Sequence, residues 1–133
     1  MTDLALVIED EKEIRELIRY NLEREGAFTA QIALTGEDGL SAALTKPPKR
    51  ESGNKAPDLI ILDLLLDQMK GEDFLKQLKS NPQYVSIPII IASSFSPRSY
   101  KKIFEVDPNL TFLEKPFDQE KLLAGIEAKL GAE

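Results

Sequence analysis

Three aliphatic runs constrain this chain more than any other feature. They are Leu4-Ala5-Leu6-Val7-Ile8, Leu59-Ile60-Ile61-Leu62 and the stretch from Ile87 to Ala92. A strand with one face in water alternates apolar and polar residues, whereas these runs do not alternate. A short, unbroken apolar run bounded by turn signals fits a strand buried on both faces. Such strands lie inside parallel sheets, covered by helices on either side. The run at 59–62 is preceded by Pro57-Asp58 and stops at Asp63. In open α/β sheets, ligands bind at the carboxyl ends of the strands. Asp63 is the first polar residue at such an end.

The segments between the runs fit the same plan. After Ile8 come Glu9 and Asp10, then Ile14, Leu17, Ile18 and Leu22 at helical spacing. Asp10 is the expected N-cap of this helix, and Gly26 is expected to end it. Phe28 to Leu34 alternates loosely and reads as a strand nearer an edge. Thr35-Gly36-Glu37-Asp38 opens a second helix, with Leu40, Ala43 and Leu44 as its apolar residues. Residues 46 to 57 hold three prolines, one glycine and the bases Lys46, Lys49, Arg50 and Lys55, and read as a solvated loop. Phe74, Leu75 and Leu78 mark a third helix. Pro88 stands near the start of the next strand, where a missing donor is tolerated. Ser93-Ser94 follows that strand, and Ser96-Pro97 opens a helix carrying Tyr100, Ile103 and Phe104. Asp107-Pro108-Asn109 is a turn. Leu110 to Leu113 is a short fifth strand. Asp118 caps a last helix whose stripe is Leu122, Leu123, Ile126 and Leu130. Strands and helices alternate five times, the pattern of a doubly wound α/β domain. Right-handed crossovers place every strand's carboxyl end on one side of the sheet.

Composition removes several chemistries. The 133 residues suffice for one domain with one core. There is no cysteine and no histidine. That excludes thiol nucleophiles, disulfides, Cys-ligated metals, Ser-His-Asp catalysis and a phosphohistidine carrier. Any nucleophile is a carboxylate, hydroxyl or amine. The net charge of −6 argues against generic nucleic-acid binding. No apolar run approaches the roughly 20 residues of a membrane span. The acidic start of the chain does not read as a signal peptide.

The strand ends deliver an unusual set. The first gives Glu9 and Asp10, the third Asp63, the fourth Ser93 and the fifth Lys115. Taken singly, each is ordinary, since acids cap helices, serines fill loops and lysines are solvated. Jointly, three carboxylates in one cleft repel one another unless a cation joins them. Mg²⁺ suits one or two carboxylates together with waters and phosphate oxygens. A carboxylate beside Mg²⁺ suggests phosphoryl transfer, with Asp63 as nucleophile, Lys115 paired with a phosphoryl oxygen and Ser93 donating its hydroxyl to another.

Over essentially its whole length the chain resembles a bacterial response-regulator receiver domain of the stand-alone, chemotaxis-regulator type. The resemblance rests on Val7-Ile8-Glu9-Asp10, Ile61-Leu62-Asp63, Gly71, Pro88 to Ser94 and Leu113-Glu114-Lys115-Pro116-Phe117. It implies a flavodoxin-like, five-stranded parallel sheet in the order 2-1-3-4-5. It implies phosphorylation of Asp63 by a histidine kinase or phosphotransfer protein. It also implies Mg²⁺ held by Asp10, Asp63 and the backbone carbonyl of Leu65, with Glu9 acting through water. Ser93 becomes the switch hydroxyl and Phe112 the switch aromatic. A cis peptide bond is implied between Lys115 and Pro116. The pattern departs at Asp67, where receivers often carry proline, in the longer loop at 46–57, and at Pro108-Asn109.

The expectation is therefore a single cytoplasmic receiver domain spanning 1–133 without an output domain. It assists its own phosphorylation and dephosphorylation but is not otherwise an enzyme. It contacts a downstream protein through the face made by the fourth helix, the fifth strand and the fifth helix, with Tyr100 and Phe104 as candidates. No direct nucleic-acid contact or membrane insertion is expected. Moving such a switch from 1:99 to 99:1 takes about 5.5 kcal/mol, against roughly 1.5–3 kcal/mol for one charge-assisted bond, so a partner completes the shift. The resemblance places apolar Leu65 and Phe95 beside the path of the hydrolytic water, which implies a long-lived phosphoryl state. The competing reading is a receiver-like interaction module that is not phosphorylated. A flavin-type binder would need a Gly/Ser/Thr-rich phosphate loop where Glu9-Asp10 stands. An aspartate-nucleophile hydrolase would need a second acid where Leu64-Leu65 follows Asp63.

Overall fold

The computed structural model describes residues 3–24, 28–39, 57–63, 71–80, 87–93 and 110–131. Five strands form one parallel sheet: β1 (Asp3–Ile8), β2 (Phe28–Ala33), β3 (Leu59–Asp63), β4 (Ile89–Ser93) and β5 (Thr111–Glu114). Their order is β2-β1-β3-β4-β5. The described helices are α1 (Lys12–Glu23), α2 (Gly71–Lys79) and α3 (Gln119–Gly131). Residues 36–39 form a further helical turn, capped by the Thr35 hydroxyl, which accepts from the Asp38 amide at 3.1 Å.

Period-2 alternation divides each central strand between two cores. Leu6, Ile8, Ile60, Leu62, Ile89 and Ile91 face Phe74, Leu75 and Leu78 of α2. Ala5, Val7, Leu59, Ile61, Ile90 and Ala92 face Ile18 and Leu22 of α1 and Leu122 and Ile126 of α3. Helices thus cover both faces of the sheet, and this is why the central strands contain no polar break. Each fully buried aliphatic side chain contributes roughly 1.5–3 kcal/mol of transfer free energy. Asp58 fixes the start of β3, since its carboxylate accepts from the Leu4 amide and its own amide donates to the Leu4 carbonyl, both at 2.7 Å.

Several local expectations are corrected. Asp10 does not cap α1. The N-cap is Glu11, in extended backbone with no side-chain cap bond, and its amide donates instead to Glu9 Oε2 at 3.2 Å. The helix ends at Glu23 with Arg24 as C-cap, and Gly26 lies outside the described residues. β2 stops at Ala33, leaving Leu34 exposed. β4 begins after Pro88, whose carbonyl accepts from the Ile60 amide at 3.0 Å, and it takes in Ser93 as its last residue. β5 is shifted one residue on, to Thr111–Glu114. In α3 the Asp118 cap stands, with Oδ1 accepting from the Lys121 amide at 2.9 Å. Leu123, however, is exposed rather than part of the stripe. The bulk of the second helix, the loop at 46–56, the helix expected after Ser96, the turn at Asp107-Pro108-Asn109 and the Leu130 side chain lie outside the described residues.

Candidate functional site

The sheet order reverses beside β1. β2 lies on one side of it and β3, β4 and β5 on the other, which puts the ligand crevice at the carboxyl ends of β1 and β3. The alternation that builds the α1–α3 core also aims the site. Glu9, Asp63 and Lys115 each stand two residues beyond a member of that core, namely Val7, Ile61 and Leu113. Ser93 stands two beyond Ile91 and so belongs to the α2 side, as does Phe112, which pairs in register with Ile91 and packs half-buried against that core. Glu9, Asp63, Ser93 and Lys115 are all buried, and Asp10 is half-buried.

Lys115 sits among three acids. Its Nζ lies 2.7 Å from Glu9 Oε1, 3.2 Å from Glu11 Oε1 and 3.5 Å from Asp63 Oδ2. Burial pulls the ammonium pKa down, but its bond to Glu9 and the fields of Asp63, Glu9 and Glu11 outweigh this and raise it above the usual 10.5. Glu9 moves further. Desolvation lifts its carboxyl from 4.5 to about 7, and neighbouring Asp63 adds to the rise against the opposing pull of Lys115. The backbone holds the same groups. The Glu9 amide donates to the Ala33 carbonyl at 3.1 Å, and the Lys115 amide donates to the Ser93 carbonyl at 2.6 Å. The peptide bond between Lys115 and Pro116 is cis, as the resemblance implies.

One carboxylate oxygen from each of Glu9, Asp10 and Asp63 lies within 4.8 Å of the others. An octahedral Mg²⁺ shell is about 4.2 Å across, so the set fits a hard divalent ion. Within this set, Glu9 Oε1 meets the Lys115 ammonium at 2.7 Å and Oε2 accepts from the Glu11 amide at 3.2 Å. Leu65, whose carbonyl completes the expected ligand set, lies outside the described residues, as do Ser94, Phe95, Tyr100 and Phe104. The structure thus brings Glu9, Asp10, Asp63 and Lys115 together and sets Ser93 on the strand between Asp63 and Lys115. Sequence reading missed the pairing of Glu11 with Lys115. The two are 104 residues apart, and no periodicity links them.

A five-stranded parallel sheet in this order, with helices on both faces and acids and a lysine at its switch point, defines the doubly wound, flavodoxin-like class of α/β domains. Within that class the chain belongs to the response regulator receiver domain family, whose model matches residues 5–127. Among curated relatives, it is 33% identical over 126 residues to the alkaline phosphatase synthesis transcriptional regulatory protein SphR of Synechococcus elongatus, covering 94% of this chain and 48% of that protein. It is 36% identical over 131 residues to the response regulator ArlR of Staphylococcus epidermidis, covering 98% and 53%. The chain therefore spans about half the length of these relatives. Among solved structures, the chemotaxis response regulator CheY4 of Vibrio cholerae superposes with a TM-score of 0.81 at 24% identity, over 96% of this chain and 98% of that one. The bacteriophytochrome response regulator RtBRR gives 0.79 at 31% identity, over 98% and 79%. The chain is a receiver domain of two-component signalling. Among the described residues, no helix is long and apolar enough to cross a membrane.

Proposed function

We propose that Asp63 accepts a phosphoryl group from the phosphohistidine of a histidine kinase or phosphotransfer protein. An Asp63 carboxylate oxygen forms the new P–O bond as the P–N bond breaks, and the leaving imidazole nitrogen keeps the electron pair and takes up a proton. Lys115 pairs with one phosphoryl oxygen and Ser93 donates its hydroxyl to another. Asp10, Asp63 and the Leu65 carbonyl, with Glu9 through water, would hold Mg²⁺, which would neutralise charge on the transferring group. The observation that carries this reading is the position of Lys115 Nζ, 3.5 Å from Asp63 Oδ2 at the edge of the three-acid cluster.

Drawing Ser93 toward the phosphoryl group leaves room on the α2 side, where Phe112 packs. An inward turn of Phe112 would change the outer surface of β5 beside α3. That surface, with the segment preceding β5, is the proposed contact for a downstream partner, and the site of action is cytoplasmic. The output, and any segment that delivers it in a longer protein, is part of the proposal, since SphR and ArlR are about twice as long. The reading is tested by intact mass after incubation with Mg²⁺ and acetyl phosphate. One added phosphoryl group in the wild type and none in Asp63→Asn supports it, and equal uptake by both refutes it.

A further inference from the structure

The acid pair and the lysine account for the proposed phosphoryl chemistry, but the Lys115 ammonium has a third carboxylate partner that this chemistry does not use. Glu11 Oε1 lies 3.2 Å from Lys115 Nζ, closer than Asp63 Oδ2 at 3.5 Å. Glu11 is placed to make this contact. It is the N-cap residue of α1, with φ −77° and ψ 115°, and its amide is tied to Glu9 Oε2 at 3.2 Å. Its side chain is 59% exposed, while that of Lys115 is 6% exposed. The ammonium is therefore held between two buried acids below and one acid at the rim.

We infer that Glu11 is a positioning residue that competes with a phosphoryl group on Asp63 for Lys115, biasing the domain toward its unphosphorylated state. The inference rests on the phosphoacceptor reading and deepens it. A phosphoryl oxygen draws the ammonium toward Asp63 and away from the rim. An ammonium that leaves Glu11 gives up a charge-assisted contact, so the Lys115–phosphoryl pair gains less than it would with a neutral residue at position 11. Because Glu11 is largely in water, the effect is modest, and an exposed ion pair corresponds to a change of up to about five-fold in an equilibrium constant. The carboxylate also repels any incoming anion through its charge alone. That contribution does not depend on Lys115 and can be separated from it.

The test measures the affinity of the Mg²⁺-loaded protein for fluoroberyllate, a phosphoryl mimic that binds the acceptor carboxylate, by ¹⁹F NMR. The variants are Glu11→Gln, Glu11→Asp, Lys115→Met, the Glu11→Gln/Lys115→Met double variant and Asp63→Asn. Expected are binding to the wild type and none to Asp63→Asn, affinity raised several-fold in Glu11→Gln, and a return toward wild type in Glu11→Asp. The gain should be smaller when Glu11→Gln is introduced beside Lys115→Met, where only the loss of anion repulsion remains. Unchanged affinity in Glu11→Gln, or the same gain with and without Lys115, overturns the inference while leaving Asp63 as acceptor. Absence of binding to the wild type overturns both.

Discussion

The backbone amide of Lys115 donates to the carbonyl of Ser93 at 2.6 Å, continuing the β4–β5 ladder one step past the Ser93–Glu114 pair. The two residues assigned to the phosphoryl oxygens are therefore joined through the main chain. The Lys115 side chain reaches Glu9 and Asp63, and Ser93 is buried at the end of β4. A displacement of the Ser93 backbone would therefore reach Lys115 directly and, through β5, Phe112.

The raised pKa of Glu9 makes stability depend on pH. Between pH 4.5 and about 7 the folded chain keeps a proton that the unfolded chain has released. The contribution of Glu9 to stability therefore falls as pH rises through that window. Lys115 acts in the opposite range. Its raised pKa stabilises the fold below 10.5, and this is lost as pH rises through the folded value. An Mg²⁺ ion bound beside Glu9, as proposed, would compete with its proton, and its affinity is expected to rise toward and above pH 7. Thermal melts across this range with and without Mg²⁺ are expected to show a metal-free decline that Mg²⁺ offsets and Glu9→Gln flattens. A decline of equal size in Glu9→Gln would assign it to other groups.

Replacing Lys115 by methionine leaves Glu9 and Asp63 as buried acids without their cation. Breaking a buried pair from one side costs about 3–5 kcal/mol, and the exposed partner Glu11 adds little. Urea denaturation of Lys115→Met is expected to show a loss of this order without metal and a larger stabilisation by Mg²⁺ than the wild type shows. Equal Mg²⁺ stabilisation in the two proteins would mean that the ammonium and the ion do not offset the same charges.

Gly39 lies against the core where a methyl group does not fit. A Cβ there would stand 2.5 Å from Ile8 Cδ1 and 3.1 Å from Phe74 Cε2. Gly39→Ala gains about 1 kcal/mol of helix propensity but incurs roughly 1–3 kcal/mol of overpacking. A net loss of stability is expected, partly restored by Ile8→Val, which removes the nearest atom. A more stable Gly39→Ala would show that Ile8 yields freely.

The central strands were legible because burial on both faces leaves an unbroken aliphatic signature, as in Leu59 to Leu62. Glu9, Asp10, Asp63, Ser93 and Lys115 were legible because strand ends share one side of the sheet. Features set by local competition for hydrogen bonds were not. Asp10 resembles an N-cap, yet the Glu11 amide is taken by the Glu9 carboxylate. Leu123 resembles part of a stripe, but Leu122 beside it already faces the core and the next position is turned some 100° around the helix. The start of β4 depends on the Pro88 carbonyl serving a ladder that the proline nitrogen cannot join.

From the resemblance to receiver domains, Leu65 and Phe95 are proposed to flank the path of the hydrolytic water. Leu65→Asn and Phe95→Glu are expected to shorten the life of the phosphoryl state, followed as loss of phosphoryl mass after removal of the donor. Unchanged lifetimes would remove these two residues from the control of hydrolysis.

The most direct measurement locates the phosphoryl group itself. Borohydride converts an acyl phosphate on aspartate to homoserine, and peptide mass spectrometry then identifies the position. After phosphorylation in the presence of Mg²⁺, homoserine is expected at residue 63 alone. Homoserine at Asp10, or stable phosphate on Ser93 with residue 63 unchanged, would show that Asp63 is not the acceptor.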